Sequence, residues 1–558
     1  MRVGISAHRA SAVLGSLSEA IVFTVVTAAI LAVTSLPYTF AYFTAPSDRV
    51  FTGILLNVPD TAQYLSWARE FSHSLLVENK LTPEQGDALF FNLFWLVIGR
   101  LAVGLDVGFA EMLQLARPLA GALYLGAVYW ITGLYARDRL QRWVSFLVIS
   151  LGGGLGWLLV LAKPITGEVL FPLDLYVSEA NTFLTVLAFP FAATTTGLLV
   201  LIFGLTALAF ERESFRLAGL AGFLTLVLGL MHAYDLIVVY AVVGSVALFE
   251  AVHKRRWVRS IGLAAMVCAW SAPAAGYVTL LTTRSPIWHG VLAQYGNAGV
   301  YTPLPAHLLV LLGLPLIALL CLRDRSTAWQ KAQPRELLLR CWLVIGFFLL
   351  YIPTDFQIKM LGGWQIPVAI LAVRAVLEEI VPFVGMRFQL RRQHAEMAVG
   401  ILAVLVVVPV NLYLLSWRFV DLGRHDYPYY LHRDDVAALR WLDANASPSD
   451  VVLSSLTIGE YVPSYTGSHA FLAHWAQTLD FYGKRDAVGK YFDQATDDGY
   501  RQSIDSRYGV KFVVYGEAEK SLGGFDPGSA PYLVRVFDSP EAKVYQVQSS
   551  GSQAGMAR

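Results

Sequence analysis

Long apolar runs without charge, rather than short alternating segments, set the pattern of this chain. The first run, from about Ala20 to Phe43, holds no charged residue. A helix crossing a bilayer needs about 20 mostly apolar residues, and this run is too long and too poorly flanked for a cleaved signal peptide. Further runs lie near 113–135, 143–162, 183–210, 217–232, 235–251, 258–280, 306–322, 341–354, 361–383 and 396–417. The pattern predicts a polytopic α-helical membrane protein of about 11 transmembrane helices over residues 1–417. The pair between Leu217 and Ala251 is short for two crossings. Three intervening segments are long and rich in functional groups: 44–112, 163–182 and 281–305.

Past Arg418 the period changes. Asp434-Asp435 can cap an amphipathic helix from Val436 to Ala446, whose apolar positions Val436, Leu439 and Leu442 recur at helical spacing. Val451-Val452-Leu453 and Phe512-Val513-Val514-Tyr515 read as short buried strands, with helices expected near 481–508 between them. Residues 418–548 are expected to form a small α/β domain, and the small polar residues of 549–558 a disordered tail.

Composition agrees with a chain buried in something other than water. Apolar residues make up 56%, charged residues 15%, and mean hydropathy is +0.53, whereas soluble domains carry about 25% charged residues. Lys+Arg 42 against Asp+Glu 41 leaves a net charge of +1, so no global field holds a polyanion, which argues against nucleic acid as a partner. The basic residues are unevenly placed. With the N-terminus inside, the inner segments carry 19 Lys and Arg, including Arg2, Arg9, Arg323, Arg325 and Lys331. The outer loops carry 7: Arg49, Arg69, Lys80, Arg100, Lys163, Arg284 and Lys359. That asymmetry predicts a cytoplasmic N-terminus, an extracytoplasmic C-terminal domain and a function on the outer face of the cell membrane. Cys268, Cys321 and Cys341 are too scattered for a disulfide framework or a Cys-based metal site. No HExxH, GxSxG or CxxC arrangement is present.

The outer segments hold the candidate chemistry. Gly53 and Pro59 break regular structure before Asp60, which would cap an amphipathic helix over 61–71 near the membrane surface; a plain N-cap is the simpler role for it. The second loop offers Asp174 and Glu179, the latter at the mouth of a span, where an acid is costly unless paired or wetted. Two acids on different loops could flank a reacting centre, one as base and one orienting the acceptor or holding a cation. Lys359, with Gln357 beside it, and Arg284 suit a lipid phosphate; snorkelling to the interface is the alternative. His232-Ala233-Tyr234-Asp235 lies between two short spans, where polar groups line a cavity or pair with one another. Arg117 and Arg374 lie within spans and need partners, with Glu111 and Glu378 as candidates. Gly152-Gly153-Gly154-Leu155-Gly156 lacks the Lys-Ser/Thr of a phosphate loop and reads as close helix packing. In the C-terminal domain, Tyr465, His469, His474 and Trp475 are candidate acceptor contacts or core.

With these pieces in place the chain resembles the GT-C superfamily of integral-membrane glycosyltransferases. The resemblance rests on Phe51-Thr52-Gly53 followed by Asp60 and Tyr64, on Glu179-Ala180-Asn181-Thr182-Phe183 with Phe189-Pro190, and on His232-Ala233-Tyr234-Asp235. It continues through Phe356-Gln357-Ile358-Lys359 with Gly363 and Ile366-Pro367, and in the last domain through Trp441-Leu442, Pro463, Tyr465-Thr466-Gly467 and His474 with Thr478. It covers most of the chain with short motifs. It implies a transferase that takes a sugar from a polyprenyl-phosphate donor, with a loop Asp at the catalytic centre; Asp60 is the matching position. Relatives pair a second acid with that Asp, where this chain has Pro59-Asp60, so Glu179 or Asp174 must supply it. Phe191 stands where a His is expected after Phe189-Pro190. The implied site is Asp60, Glu179 and Asp174 for catalysis, Lys359, Arg284 and Gln357 for the donor phosphate, and Tyr64, His232, Tyr234, Asp235 and His474 around the substrate. The acceptor is a glycan, lipid or protein. A divalent cation between Asp60 and Glu179 is admitted by the carboxylates but required by no spacing. Competing readings are a transporter or flippase for a lipid or amphipathic solute, and a catalytically inactive scaffold of the same fold. Against transport, the spans show no internal repeat and the charged groups lie on loops rather than at the midplane.

Overall fold

The computed structural model describes residues 2–169, 172–298, 302–322, 329 and 332–548, with side chains from Leu17 on, Ala298 excepted. The expected tail over 549–558 lies outside the described residues, as do Arg323, Arg325 and Lys331 and the side chains of Arg2 and Arg9. Five helical stretches among the described residues are long and apolar enough to cross a membrane: Leu17–Thr44, Pro190–Glu211, Asp235–Lys254, Trp257–Arg284 and Arg392–Leu422. A sixth arises if the Leu93–Gly104 and Phe109–Tyr135 helices, bent by 118° against each other, form one span. Leu93–Gly104 is thus an apolar helix inside the segment read as a loop.

The other apolar runs fold as helix but are short, broken or charged. Phe215–Gly229 has only 15 residues. Gln365–Phe388 is long enough but carries Arg374, Glu378, Glu379 and Arg387. The glycine run interrupts the helix between Leu151 and Gly156, and it packs closely as expected, Gly152 and Gly153 against Val407 and Val410 of the Arg392–Leu422 stretch. A Cβ on Gly154 or Gly156 would run into the Asp174 carboxylate, so the glycines make room for a buried acid. Pro190 starts one helix where the preceding Thr182–Ala188 helix stops at Phe189, because proline fits a first turn and cannot continue a helix. The buried arginines find partners other than those expected. Arg117 donates to Ser35 Oγ at 2.8 Å and stacks over Tyr38, while Arg374 pairs with Glu336 at 2.7 Å and Glu378 pairs with Arg137.

After the last long helix the chain joins the first loop before building its own sheet. Arg49–Phe51 pairs antiparallel with Tyr430–His432, Phe51 opposite Tyr430. The main sheet then orders His469–Ala470, Val451–Leu453, Val510–Tyr515, Lys543–Val547 and Leu533–Asp538, the first three parallel and the last two antiparallel. Val451–Leu453 is buried at every position, as expected of a strand covered on both faces. Helices Arg433–Asn445, Phe481–Phe492 and Asp498–Tyr508 cover it. A single apolar core joins Trp67, Phe71 and Trp95 of the first loop, Trp288 of the third, and Leu439, Val452 and Phe512 of the C-terminal region. That shared core fixes the loops against the sheet and so positions the site between them.

Candidate functional site

Asp60 does not cap its helix. The helix runs Val58–Phe71, with Asn57 at the cap position in a left-handed conformation (φ 49°, ψ 60°). Asp60 sits in the first turn, and its carboxylate takes two side-chain donors instead of helix N–H groups. Asn57 Nδ2 donates to Oδ2 at 2.6 Å, and His474 Nε2 lies 2.8 Å from Oδ1. The tautomer of His474 follows from its other nitrogen. Nδ1 accepts the backbone N–H of Ala476 (3.0 Å) and of Gln477 (3.2 Å), so the ring proton sits on Nε2 and is donated to Asp60.

A second charged pair faces the same space. Glu179, in a single 3-10 turn over Ser178–Ala180, meets Lys359, in the 3-10 turn Gln357–Leu361. Lys359 Nζ donates to Glu179 Oε1 at 2.9 Å, and Ser178 Oγ donates to Oε2 at 3.0 Å. One cavity of about 520 Å³ is lined by Asp60, Glu179, Lys359 and His474 together with Tyr64, His232, Tyr234, Tyr295 and Trp475. Its volume suits a small ligand or a sugar-bearing headgroup. A second, smaller cavity of about 70 Å³ shares Asp60, Glu179 and Lys359 and reaches Thr195 and Thr196 near the start of the Pro190–Glu211 helix and Asp235 at the start of the Asp235–Lys254 helix. The charged group is the junction between the two spaces.

The electrostatics follow from these contacts. Burial pushes the Asp60 carboxyl up, but the His474 and Asn57 hydrogen bonds and the Lys359 charge outweigh it and hold the group below its ordinary range. Burial likewise opposes ionised Glu179, and Lys359 more than offsets it. Burial disfavours the Lys359 ammonium, yet Glu179, with Tyr64 and Asp60, raises it well above the usual lysine value. Burial and the neighbouring anions push the phenols of Tyr64 and Tyr295 up, Tyr295 to about 12. The cavity wall therefore carries ionised Asp60 and Glu179 beside the Lys359 ammonium, with its phenols protonated, and Asp355 lines the same space.

Each of the four oxygens of Asp60 and Glu179 already accepts one hydrogen bond from a protein donor, so a cation between them would compete with Lys359 and His474 for these carboxylates. Among the described residues no group of three His, Cys, Asp or Glu side chains is placed to hold a metal.

No protein-family model matches the chain, and no curated protein matches it by sequence. Solved structures do match its fold. The oligosaccharyltransferase AglB of Archaeoglobus fulgidus, bound to an inhibitory peptide and a dolichol-phosphate, superposes with a TM-score of 0.54 at 12% identity, over 94% of this chain and 74% of that one. ArnT of Cupriavidus metallidurans, bound to undecaprenyl phosphate, gives 0.50 at 12% identity, over 96% and 98%. The mycobacterial arabinofuranosyltransferase AftD gives 0.52 at 14%, over 93% of this chain and 40% of that one. The fold is GT-C.

Within the GT-C fold the expected residues divide. Asp60, Tyr64, Glu179, His232, Tyr234, Lys359, His474 and Trp475 line the main cavity. Asp174 does not join them. It lies fully buried against the glycine break, where Gly156 N–H donates to it at 3.1 Å, and burial raises its carboxyl to about 7. Arg284 is exposed at a helix end and lines neither cavity. Gln357 turns back to donate to the Ile352 carbonyl and likewise lines neither cavity. Asp235 lines only the smaller cavity, its Oδ2 3.1 Å from His232 Nδ1. His469 binds the Thr82 carbonyl at 2.9 Å and lies 3.6 Å from Glu78, tying the sheet to the first loop rather than contacting substrate. Phe191, in place of the expected His, packs edge-on against His232 and lines both cavities. Asn57 and Ser178 were not singled out from the sequence. Asn57 carried a signal all the same, since Asn before Val58-Pro59-Asp60 is one of the few residues that adopts a left-handed cap readily.

Proposed function

We propose that this chain is a membrane glycosyltransferase that moves a sugar from a polyprenyl-phosphate donor to an acceptor nucleophile in this cavity, with Asp60 as the base. The observation that carries it is one aromatic-lined cavity with an oriented, ionised Asp60 and a charged Lys359 both on its wall. The acceptor oxygen attacks the anomeric carbon as the bond from that carbon to the phosphate oxygen breaks, and the bonding pair leaves with the phosphate. Asp60 takes the acceptor's proton. Lys359, a third of its side chain open to the cavity, stabilises the charge gathering on the departing phosphate. Glu179 holds Lys359 in place. The step as written uses no metal.

The donor class follows from likeness and charge together. Two structures of this fold carry a polyprenyl phosphate, dolichol-phosphate in AglB and undecaprenyl phosphate in ArnT, and among the described residues Lys359 is the one Lys or Arg lining either cavity here. One cation matches a monophosphate leaving group. Charge asymmetry favours a cavity on the extracytoplasmic face of the cell membrane, with the N-terminus inside. The acceptor class, glycan, lipid or protein, is left open by the cavity. The test is release of undecaprenyl phosphate from undecaprenyl-phosphate donors carrying a hexose or a pentose. Asp60→Asn should fold and bind undecaprenyl phosphate but not release it from donor. Turnover by Asp60→Asn at the wild-type rate removes the catalytic assignment. Net movement of the lipid across vesicles by the wild type, without sugar release, points to transport instead.

A further inference from the structure

His474 reaches Asp60 from a different part of the molecule, 414 residues away in sequence, and its own environment is unusually built. The loop that carries it, Ala473 to Leu479, is braced from within and from two sides. Thr478 Oγ1 accepts the N–H groups of Ala473 (2.9 Å) and His474 (3.0 Å) and donates to the Leu81 carbonyl of the first loop (2.6 Å). Asn79, also of the first loop, donates to the Gln477 carbonyl at 2.8 Å. From the third loop, Gln294 donates to the carbonyls of Ala476 and Thr478, both at 2.9 Å, and Asn297 to that of Trp475 at 2.9 Å. His474 itself is 2% exposed. A buried imidazole whose loop is tied down on three sides has lost the freedom to rotate, and its Nδ1 is committed to two backbone donors. Only the Nε2–H is left, and it points at the Asp60 carboxylate.

We infer that His474 is a positioning residue for Asp60, and that the C-terminal region, with Gln294 and Asn297 of the third loop, completes the catalytic centre rather than only covering it. This rests on the reading of Asp60 as base. Asp60 Oδ2 is held by its own helix through Asn57, so His474 supplies the one fixed point on Oδ1 that comes from outside that helix. With both oxygens bound, the carboxylate plane is set, and the lone pairs not used by Asn57 and His474 face the cavity where the acceptor proton arrives. An Asp fixed this way spends less of the reaction barrier on finding its orientation. The expectation that these C-terminal aromatics serve acceptor contact or core is thereby extended: Trp475 lines the cavity, while the adjacent His474 acts through Asp60.

Two substitutions separate positioning from folding, because amide side chains copy one imidazole nitrogen each. His474→Asn keeps an acceptor near Nδ1 for the Ala476 and Gln477 N–H groups but loses the donor to Asp60. His474→Gln keeps a donor near Nε2 and loses the acceptor. In the full-length protein, with undecaprenyl-phosphate hexose or pentose donors, His474→Asn should unfold near the wild-type temperature yet lose about 10- to 100-fold in kcat, the size of one hydrogen bond to a charged group. Its donor KM should change little. His474→Gln should keep more of kcat and lose more thermal stability. The acid limb of the rate profile should also move to higher pH in His474→Asn. The donated hydrogen bond favours ionised Asp60, and activity is lost as pH falls through the carboxyl's titration. Lys359, Glu460, Tyr64 and Tyr295 also act on that carboxyl, Glu179 and Asp355 line the same cavity, and all remain in the variant. A wild-type kcat and acid limb in His474→Asn overturns the inference, as does an Asn variant faster than the Gln one. Wild-type turnover by Asp60→Asn would instead bring down the reading on which it rests.

Discussion

Asp60 and Asp174 are both loop carboxylates withdrawn from water, and the two environments drive them in opposite directions. Asp174 is enclosed by a glycine break and takes backbone N–H groups, and among the described residues no basic side chain pairs with it. Burial dominates, and its carboxyl rises to about 7. Asp60 is slightly more open, with 17% of its side chain exposed, and an imidazole N–H, an amide N–H and a nearby ammonium keep it ionised. The difference shows what separates a structural from a reactive buried acid. Burial alone favours the neutral form, whereas donors and a cation at a cavity wall preserve a charge that chemistry can use.

The largest effect that would break the contrast is on transfer. Asp60→Asn should lower sugar release from the undecaprenyl-phosphate donors by about 10²- to 10⁴-fold, the usual range for a positioned general base, with the unfolding temperature little changed. Lys359→Ala comes next. Removing one charged contact to phosphate should weaken undecaprenyl phosphate binding, read by quenching of tryptophan fluorescence, by about 10- to 100-fold. Unchanged affinity would take the phosphate away from Lys359. Smaller still, Arg284→Ala should leave that affinity within about two-fold, as expected for an exposed side chain outside the cavity. Treatment with a chelator should leave the transfer rate unaltered, and a rate that collapses and returns with added Mn²⁺ would show that a cation does displace Lys359.

Much of the fold was legible in residues, because burial in a membrane writes itself as long uncharged runs. The strands at 451–453 and 512–515 and the helices between them were equally plain. Breaks inside runs were not. Gly152 to Leu155 and Phe189 end helices for reasons that lie in their neighbours, a distant carboxylate in one case and a proline in the other. At the site, Asp60, Glu179 and Lys359 stood out as charges beside spans, which are costly unless used. Their connection did not. Nothing local to His474 says that it reaches Asp60, since the contact depends on the 49–51 strand pairing with 430–432 and on the core shared by loop and sheet. Asp174 misled because a charge beside a span also arises where a chain must fill the space opened by missing side chains.

The smallest expected effect tests the other half of the contrast. Asp174→Asn should leave transfer within about two-fold, since surface-scale losses are the rule for residues away from the reacting groups. Its signature is in stability. The carboxyl titrates near 3.8 when unfolded and at about 7 in the native protein, so the folded state binds the extra proton between those values. Wild-type stability is therefore fully kept below pH 3.8 and falls as pH rises through 7, by about 4 kcal/mol at most. An asparagine is neutral throughout and can still accept the Gly156 N–H. The variant should unfold at a higher temperature than wild type at pH 8, and the gap should narrow at pH 5. An equal gap at both values would mean that the native carboxyl is not raised. Loss of transfer in Asp174→Asn would mean that this acid, though out of the cavity, shapes the centre through the glycine break. The separation drawn between the two carboxylates would then be wrong in kind as well as in degree.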